Sequence, residues 1–369
     1  MKVFYPVEVF YPSQAGGTAN ALYWLTKNLV RHGFEPVVVA SNKGIGEGVP
    51  LNEWIENDSG RSIFVRTRFL HVPVGQTLKC LAEIRRADIV HLSSVFYPAA
   101  FLAGIAARLM GKQVAWSPHG ELTEYALNYS AGRKRPILWF LKKVMGRYPL
   151  FHSTSDEETE DIRRAFGRDS KIVQITNYVE VHPVVERPVE PYLLYIGRIH
   201  PKKAIDNLIR AAGSSERFMG SEFVLKIAGR GREEHLSALK LLVEELGLEN
   251  KVQFIGQVEG EEKFHVLAGA YFTLMPSHSE NFGIVVLESL SQNTPVVASI
   301  YTPWESLEKE RVGFWTDNSE EALAAIIDEI ISMDPQEYAG YRARGREFVC
   351  REFDISSHID KWLDFYRSI

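Results

Sequence analysis

Residues 277–290, SHSENFGIVVLESL, place Glu280 and Glu288 eight positions apart around a glycine and an apolar run. YFTLMP just before this stretch reads as a buried strand, and IVVLES reads as the first turns of a helix. Glu280 then falls in the loop and Glu288 inside the helix. The backbone amides from about Asn281 through Phe282 and Gly283 to Ile284 face the end of a helix, where donors lack intrahelical partners and phosphate is favoured. Carboxylates on either side of such amides suit one ligand with hydroxyls at both ends and a diphosphate between them. Glu280 would bind sugar hydroxyls and Glu288 would accept bonds from a ribose. An isolated pair of this kind is better explained as a dipole-stabilising cap and a surface carboxylate, so other motifs must agree.

Several do. YIGRIHPKKAIDNL, 195–208, runs from a strand through a glycine to Arg198 and Lys203 ahead of a helix. A guanidinium fork and an ammonium converging at a helix N-terminus can hold a diphosphate and stabilise it as it leaves. Lys202 reads as a solvated surface lysine. SQAGGTANAL, 13–22, follows the first strand, with Gly16 and Gly17 permitting close backbone approach and Thr18 placed to cap the next helix. IAGRGREEHL, 227–236, offers Gly229 for close approach of a nucleotide, although a plain strand-to-helix turn explains it nearly as well. SPHGEL, 117–122, carries His119, which on its own would be a structural hydrogen-bonding histidine.

The elements that must position these residues are legible as alternating short β-branched runs and amphipathic segments. KVFYP (2–6), PVVVAS (36–41), ADIVHLS (87–93), KQVAWSP (112–118) and PLFHSTS (149–155) form one βα series. YLLYIG (192–197), FVLKIAG (223–229), KVQFIG (251–256), YFTLMPS (271–277) and PVVAS (295–299) form another. Between them, the proline-punctuated VHPVVERPVEP at 181–191 reads as a linker. The fold class expected is α/β: two doubly wound, Rossmann-like domains, 1–180 and 190–352, facing a central cleft. Ligands settle beyond the carboxyl ends of such strands, in the loops that carry the motifs. Helices follow at about 319–333, 335–350 and 355–368, the last with a packing stripe of Trp362, Phe365 and Tyr366.

Composition sets the outer bounds. A chain of 369 residues with 45% hydrophobic and 24% charged residues is an ordinary folded protein of two domains. The net charge of −5 argues against nucleic acid as a partner. Cys80 and Cys350 fit neither a disulfide framework nor a zinc site. With no signal-like start and no apolar run of spanning length, a cytoplasmic location is expected. AGRKRPILWFLKKVMGRYP, 131–149, sets basic residues beside Trp139 and Phe140, and has two readings. One is a peripheral contact at the inner membrane face. The favoured one is a helix of the first domain with its aromatics turned to the sheet.

The E-x7-E spacing of SENFGIVVLES, the glycine pair of SQAGGT, GRIHPKK and SPHGEL, in this order over nearly the whole length, resemble the signature positions of the retaining glycosyltransferases of family 4, with the GT-B architecture. The resemblance implies that Glu280 contacts the donor sugar, Glu288 the nucleotide ribose, and Arg198 and Lys203 the diphosphate, with Gly17 making backbone contact nearby. It places His119 on the acceptor side of the cleft, bonded to the transferred sugar. It makes the first domain the acceptor side and the second the nucleotide-sugar donor domain, and it brings the C-terminal helix, about 355–369, back onto the first domain. Ala204, GRG at 229–231 and SIYTPWESL at 299–307 depart from the family pattern, the last putting Thr302 or the amides after Pro303 near the phosphates.

The reaction this resemblance implies moves a hexose-type sugar from a UDP- or GDP-type donor to a hydroxyl of a glycan or lipid-linked sugar, in surface polysaccharide or glycan synthesis. It further implies that the anomeric configuration is retained and that no metal or other cofactor takes part, in keeping with the absence of a D-x-D motif and with cationic side chains in its place. A GT-B nucleotide-sugar epimerase is the nearest alternative, and a non-catalytic sugar-binding protein the non-enzymatic one. A nicotinamide oxidoreductase fits poorly, because GRGREE lacks the full G-x-G-x-x-G pattern.

Overall fold

The computed structural model describes residues 1–13, 17–69 and 72–369. Its chain divides into two units, Met1–Glu180 joined by Ile355–Ile369, and Val181–Asp354.

In the first unit the chain runs β1 (Lys2–Val7), α1 (Gly17–Arg31), β2 (Glu35–Ser41), β3 (Trp54–Asn57), β4 (Gly60–Val65), α2 (Val74–Ile84) and β5 (Ile89–Leu92). It continues through α3 (Pro98–Leu109), β6 (Gln113–Trp116), α4 (Glu124–Asn128), α5 (Ala131–Val144), β7 (Leu150–Ser153), α6 (Asp156–Phe166) and β8 (Ile172–Gln174). The sheet order is β3-β4-β2-β1-β5-β6-β7-β8, and every pairing is parallel except β3 with β4. Strands such as β1 and β5 are apolar along almost their whole length because helices cover both faces of a parallel sheet.

The second unit runs β9 (Tyr192–Ile196), a 3₁₀ turn (Pro201–Lys203), α7 (Ile205–Ser214), α8 (Glu216–Met219), β10 (Val224–Ala228), α9 (Glu233–Glu245), β11 (Val252–Gly256) and α10 (Gly260–Gly269). Then come β12 (Phe272–Met275), α11 (Ile284–Ser291), β13 (Val296–Ser299), α12 (Ser306–Lys309), β14 (Gly313–Thr316), α13 (Glu320–Ile331) and α14 (Pro335–Glu352). Its sheet, β11-β10-β9-β12-β13-β14, is wholly parallel. In each sheet the strand order reverses beside the first strand, between β1 and β5 and between β9 and β12. Loops on the two sides of such a switch point diverge and leave a crevice at the carboxyl ends.

The last helix, α15 (Ile355–Arg367), belongs to the first unit, where Trp362, Phe365 and Tyr366 are buried. It packs along α1, and its entry is fixed by the Ile355 amide donating to the Val179 carbonyl at 3.0 Å.

Four readings from the sequence change. Thr18 lies inside the first turn of α1, which begins at Gly17, so it is not the cap. Strands β3, β4, β8 and β14 are not among those read from the sequence, and three of them are four residues or fewer. Residues 181–191 are packed along the second unit: Gln292 bonds Val185 N at 2.9 Å and the Pro183 carbonyl at 3.1 Å, and Arg346 donates to the His182 carbonyl at 3.0 Å. Prolines hold such a segment extended and leave its carbonyls open to side-chain donors. Finally, Trp139 and Phe140 of α5 do not face the sheet. They are 61% and 46% exposed, while Leu141 supplies the buried contact. Among the described residues, no helix is long and apolar enough to cross a membrane.

Candidate functional site

At the switch point of the second unit, β9 and β12 lie side by side in the register Leu193↔Phe272 and Leu194↔Thr273. The loops leaving their carboxyl ends are therefore neighbours although some eighty positions separate them in sequence. One carries Arg198 and Lys203, the other Ser277 to Gly283. The Lys203 ammonium bonds Glu280 Oε1, and the Ser277 hydroxyl donates to the same oxygen at 2.8 Å. The backbones are tied as well, His278 N donating to the Lys202 carbonyl at 2.9 Å. Asn318 braces the second loop by donating to the Pro276 carbonyl at 2.8 Å.

Burial alone would raise the pKa of Glu280, but Lys203, the Ser277 hydroxyl and Lys202 outweigh it and hold the carboxyl below its ordinary range. Lys202 is no free surface lysine: burial, together with the charges of Lys203 and Arg198, lowers its pKa against the pull of Glu280. His200 is lowered in the same way, first by burial and then by Arg198, His235, Arg232 and Lys202. The corner thus concentrates positive charge around a single carboxylate. Arg198 is set in place through its carbonyl, which accepts from the buried Tyr195 hydroxyl at 2.7 Å.

Ala204 completes the turn with φ 50° and ψ 40°, the left-handed region where glycine rests without strain, which accounts for the residue more usual here. Gly283, the residue before α11, has φ 82°, and a Cβ on it would meet Met275 Sδ at 2.8 Å. Behind it Phe282 is buried against Trp304, whose indole N–H donates to the Phe282 carbonyl. Because α11 begins at Ile284, the amides of Ile284 and Val285 have no partner within the helix. Asn281 lies on the same loop.

Glu288, one turn further along, is 6% exposed and pairs with Lys263 of α10 at 2.5 Å. Gly229 owes its identity to packing: at φ 151° a Cβ there would stand 1.8 Å from the Gly197 carbonyl oxygen. Close approach is thus between two loops of the chain itself. Thr302 is buried with its hydroxyl donating to the Ser299 carbonyl at 2.5 Å, and the Trp304 amide after Pro303 is bonded to the Thr302 carbonyl. The Thr302 hydroxyl and the Trp304 amide are thus engaged within their own turn.

The first unit holds the remaining candidates. His119 follows β6 with φ 52°, an uncommon conformation for a residue with a side chain and one that surrounding structure must enforce. Glu158, at the start of α6, accepts from Gly120 N at 2.7 Å and from the amide and hydroxyl of Thr154 at 2.8 and 2.7 Å. Glu121 braces the other side, accepting from Val95 N at 2.6 Å and Phe96 N at 3.1 Å. Burial lowers the His119 pKa, which Glu158 partly restores. His119 shares a cavity with Thr18, His91, Ser117, Tyr178 and Trp362. Gly17 opens α1, and Gly16 lies outside the described residues.

The structure therefore joins Lys203, Arg198 and Glu280 in one corner and places Glu288 on the helix that begins there. His119 and Gly17 belong to the other unit. Sequence reasoning passed over Ser277, Lys263, Glu121 and Glu158. Ser155-x-x-Glu158 is a capping-box spacing that marks the helix start, but nothing local shows that the Glu158 carboxylate reaches Gly120.

Residues 15–182 match the family described as Glycosyltransferase Family 4, and residues 181–348 match the one described as Glycosyl transferases group 1. A D-inositol 3-phosphate glycosyltransferase of Acidothermus cellulolyticus is 32% identical over 154 residues, 40% of this chain and 32% of that protein. The enzyme of the same name from Nocardia farcinica is 35% identical over 116 residues, 30% and 26% of the two chains. These matches span about a third or less of the relatives' own length. Among solved structures, sucrose-phosphate synthase from Thermosynechococcus elongatus superposes with a TM-score of 0.81 at 20% identity, covering 100% of this chain and 98% of that one. Anabaena HepE in complex with UDP-glucose gives 0.82 at 19% identity, with full coverage of both chains. Two doubly wound units with these strand orders, matched end to end by such structures, are the GT-B fold, and the chain belongs to the family 4 glycosyltransferases.

Proposed function

We propose that the chain transfers a hexose-type sugar from a UDP- or GDP-linked donor to a hydroxyl of a glycan or lipid-linked acceptor, with retention of configuration, in surface polysaccharide or glycan synthesis. The observation that carries this reading is the Lys203–Glu280 contact at the second switch point, with Ser277 on the carboxylate and Arg198 and Lys202 beside it. Arg198 and Lys203 hold the diphosphate, aided by the loop from Asn281 to Gly283 and the first amides of α11. Glu280 takes the sugar hydroxyls and Glu288 the ribose. As the bond between the anomeric carbon and the phosphate oxygen breaks, charge builds on the diphosphate where these cations already stand. The acceptor oxygen bonds the same face of the sugar and its proton passes to the leaving phosphate. His119 bonds the transferred sugar, and Gly17 at the start of α1 allows close backbone approach of a ligand. That HepE was crystallised with UDP-glucose supports a nucleotide sugar as donor.

Thermal-shift measurements with UDP, GDP and ADP identify the base, and nucleoside diphosphate release with the matching sugars measures turnover. Arg198→Ala with Lys203→Ala abolishes stabilisation by the diphosphate; unchanged stabilisation would refute the phosphate assignment. Activity persists in EDTA, and NMR of the product shows the donor's anomeric configuration. The exposed Trp139 and Phe140 of α5, with the Lys143 ammonium 4.3 Å above the Trp139 ring, favour docking on an anionic lipid surface where a lipid-linked acceptor resides. Co-sedimentation with anionic but not zwitterionic vesicles, lost in Trp139→Ala/Phe140→Ala, tests this part separately.

A further inference from the structure

A continuous chain of hydrogen bonds runs through the core of the first unit. Tyr5 Oη lies 2.7 Å from Tyr366 Oη, which lies 2.6 Å from His91 Nδ1. His91 Nε2 lies 2.7 Å from Ser117 Oγ, Ser117 Oγ is 2.8 Å from His152 Nδ1, and His152 Nε2 is 2.8 Å from the Ile175 carbonyl oxygen. All five side chains are at most 2% exposed. The chain joins β1, α15, β5, β6 and β7, and Ser117 and His91 also line the cavity of His119.

One end of this chain determines every proton in it. A carbonyl oxygen only accepts, so His152 carries its proton on Nε2 and, when neutral, presents a lone pair on Nδ1. The Ser117 hydroxyl must then donate to His152 and accept from His91, which places the His91 proton on Nε2. His91 Nδ1 is left to accept from Tyr366, and Tyr366 to accept from Tyr5. No other assignment satisfies all five bonds with neutral imidazoles. Adding a proton to His152 would make its Nδ1 a donor, which either leaves the Ser117 hydroxyl proton without an acceptor in this chain or reverses every upstream bond and leaves the Tyr5 hydroxyl without one among the described residues. The groups facing the two imidazoles are Tyr5, Tyr366, Ser117, Trp362, Phe365 and His119, and none of them is anionic.

We propose that the Ile175 carbonyl imposes a single proton direction on this chain, and that through it Tyr366 of the C-terminal helix, His91 and His152 act as positioning residues that hold Ser117 and the strained His119 beside it. Ser117 is bonded from both sides by imidazoles of opposite role, so the β6 loop cannot turn without breaking the order. The kinetic consequence rests on the role given to His119 above; the proton order does not.

The test is ¹⁵N NMR of the full-length protein labelled at histidine. At pH 7 both His91 and His152 should be neutral Nε2–H tautomers; a charged ring or an Nδ1–H tautomer at either overturns the proposal. Ser117→Ala separates the two rings. His152 remains Nε2–H because Ile175 still holds it, and His91 also remains Nε2–H, because the reversed order would leave the Tyr5 hydroxyl without an acceptor among the described residues. If either ring changes tautomer, the direction assigned here is wrong. In the transfer assay, Ser117→Ala should lower kcat about tenfold and leave the Kd for the nucleoside diphosphate unchanged, since those contacts lie in the other unit. An unchanged kcat overturns the positioning role. A wild-type protein that transfers no sugar refutes the proposed function instead, and the two NMR results still decide the proton order.

Discussion

Replacing Glu280 by glutamine should tighten the binding of a nucleoside diphosphate while nearly abolishing transfer. In the free protein the Lys203 ammonium is held by Glu280, both side chains being less than one fifth exposed, and that carboxylate stands where an incoming diphosphate feels it as repulsion. At an effective dielectric constant of about 40 and a separation of about 7 Å, one carboxylate opposes a ligand of charge about −2 by about 2 kcal/mol. That energy corresponds to about thirtyfold in Kd, and ions reduce the gap as the salt concentration rises. Calorimetric titration of wild type and Glu280→Gln with the preferred diphosphate, at about 0.05 and 0.5 M salt, measures it. The expected pattern is a lower Kd in the variant, a smaller difference at high salt, and turnover lost by about a hundredfold or more because the sugar hydroxyls lose an ionised acceptor and one of its two oxygens becomes a donor. A variant that folds normally but binds the diphosphate no better, or less well, would refute the placement of the diphosphate beside the Lys203–Glu280 pair.

Three further outcomes follow from the same contacts. Burial lowers the pKa of His91 and takes that of His152 down to about 3, below the unfolded value, so their contribution is complete above about pH 6.5 and declines as the pH falls toward the folded values. Each imidazole should remove about 1.4 kcal/mol of stability per pH unit below 6.5, read by urea unfolding between pH 7 and 5, and a pH-independent stability there would contradict the neutral pair. Lys263→Met leaves the buried Glu288 carboxylate unpaired and should cost about 3 kcal/mol, measured as a fall in Tm that Glu288→Gln in the same protein partly reverses. Gly229→Ala forces a methyl against the Gly197 carbonyl and should destabilise the second unit by about 3 kcal/mol or more, whereas tolerance of alanine in thermal unfolding would show that the two loops are not packed as described.

Much of the architecture can be read from neighbouring residues alone. The apolar runs at β1, β2, β9 and β12 and the helical stripe of Trp362, Phe365 and Tyr366 announce themselves, because burial on both faces of a parallel strand or on one face of a helix demands apolar residues at fixed local spacing. Arg198, Lys203 and Glu280 are legible as candidates for a related reason: each stands in a loop just beyond such a strand, and Glu288 lies in the helix that follows. The strands that escaped, β3, β4, β8 and β14, have mixed burial and give periodicity little to register. α5 misled in the opposite sense, since aromatic residues suggest a core face while Trp139 and Phe140 are in fact exposed.

By itself, then, the sequence determined two doubly wound layers, the loops beyond their strands and the candidate residue types within those loops, all of which depend on interactions a few positions apart. Tertiary structure alone decided which charges meet. Lys203 reaches Glu280 because β9 and β12 are neighbours, Lys263 reaches Glu288 because α10 lies beside α11, and Tyr5, Tyr366, His91, Ser117 and His152 line up because α15 returns to the first sheet. Strand order and helix docking are set by the packing of the whole core, and no local pattern of residues encodes the partner that this packing delivers to a given side chain.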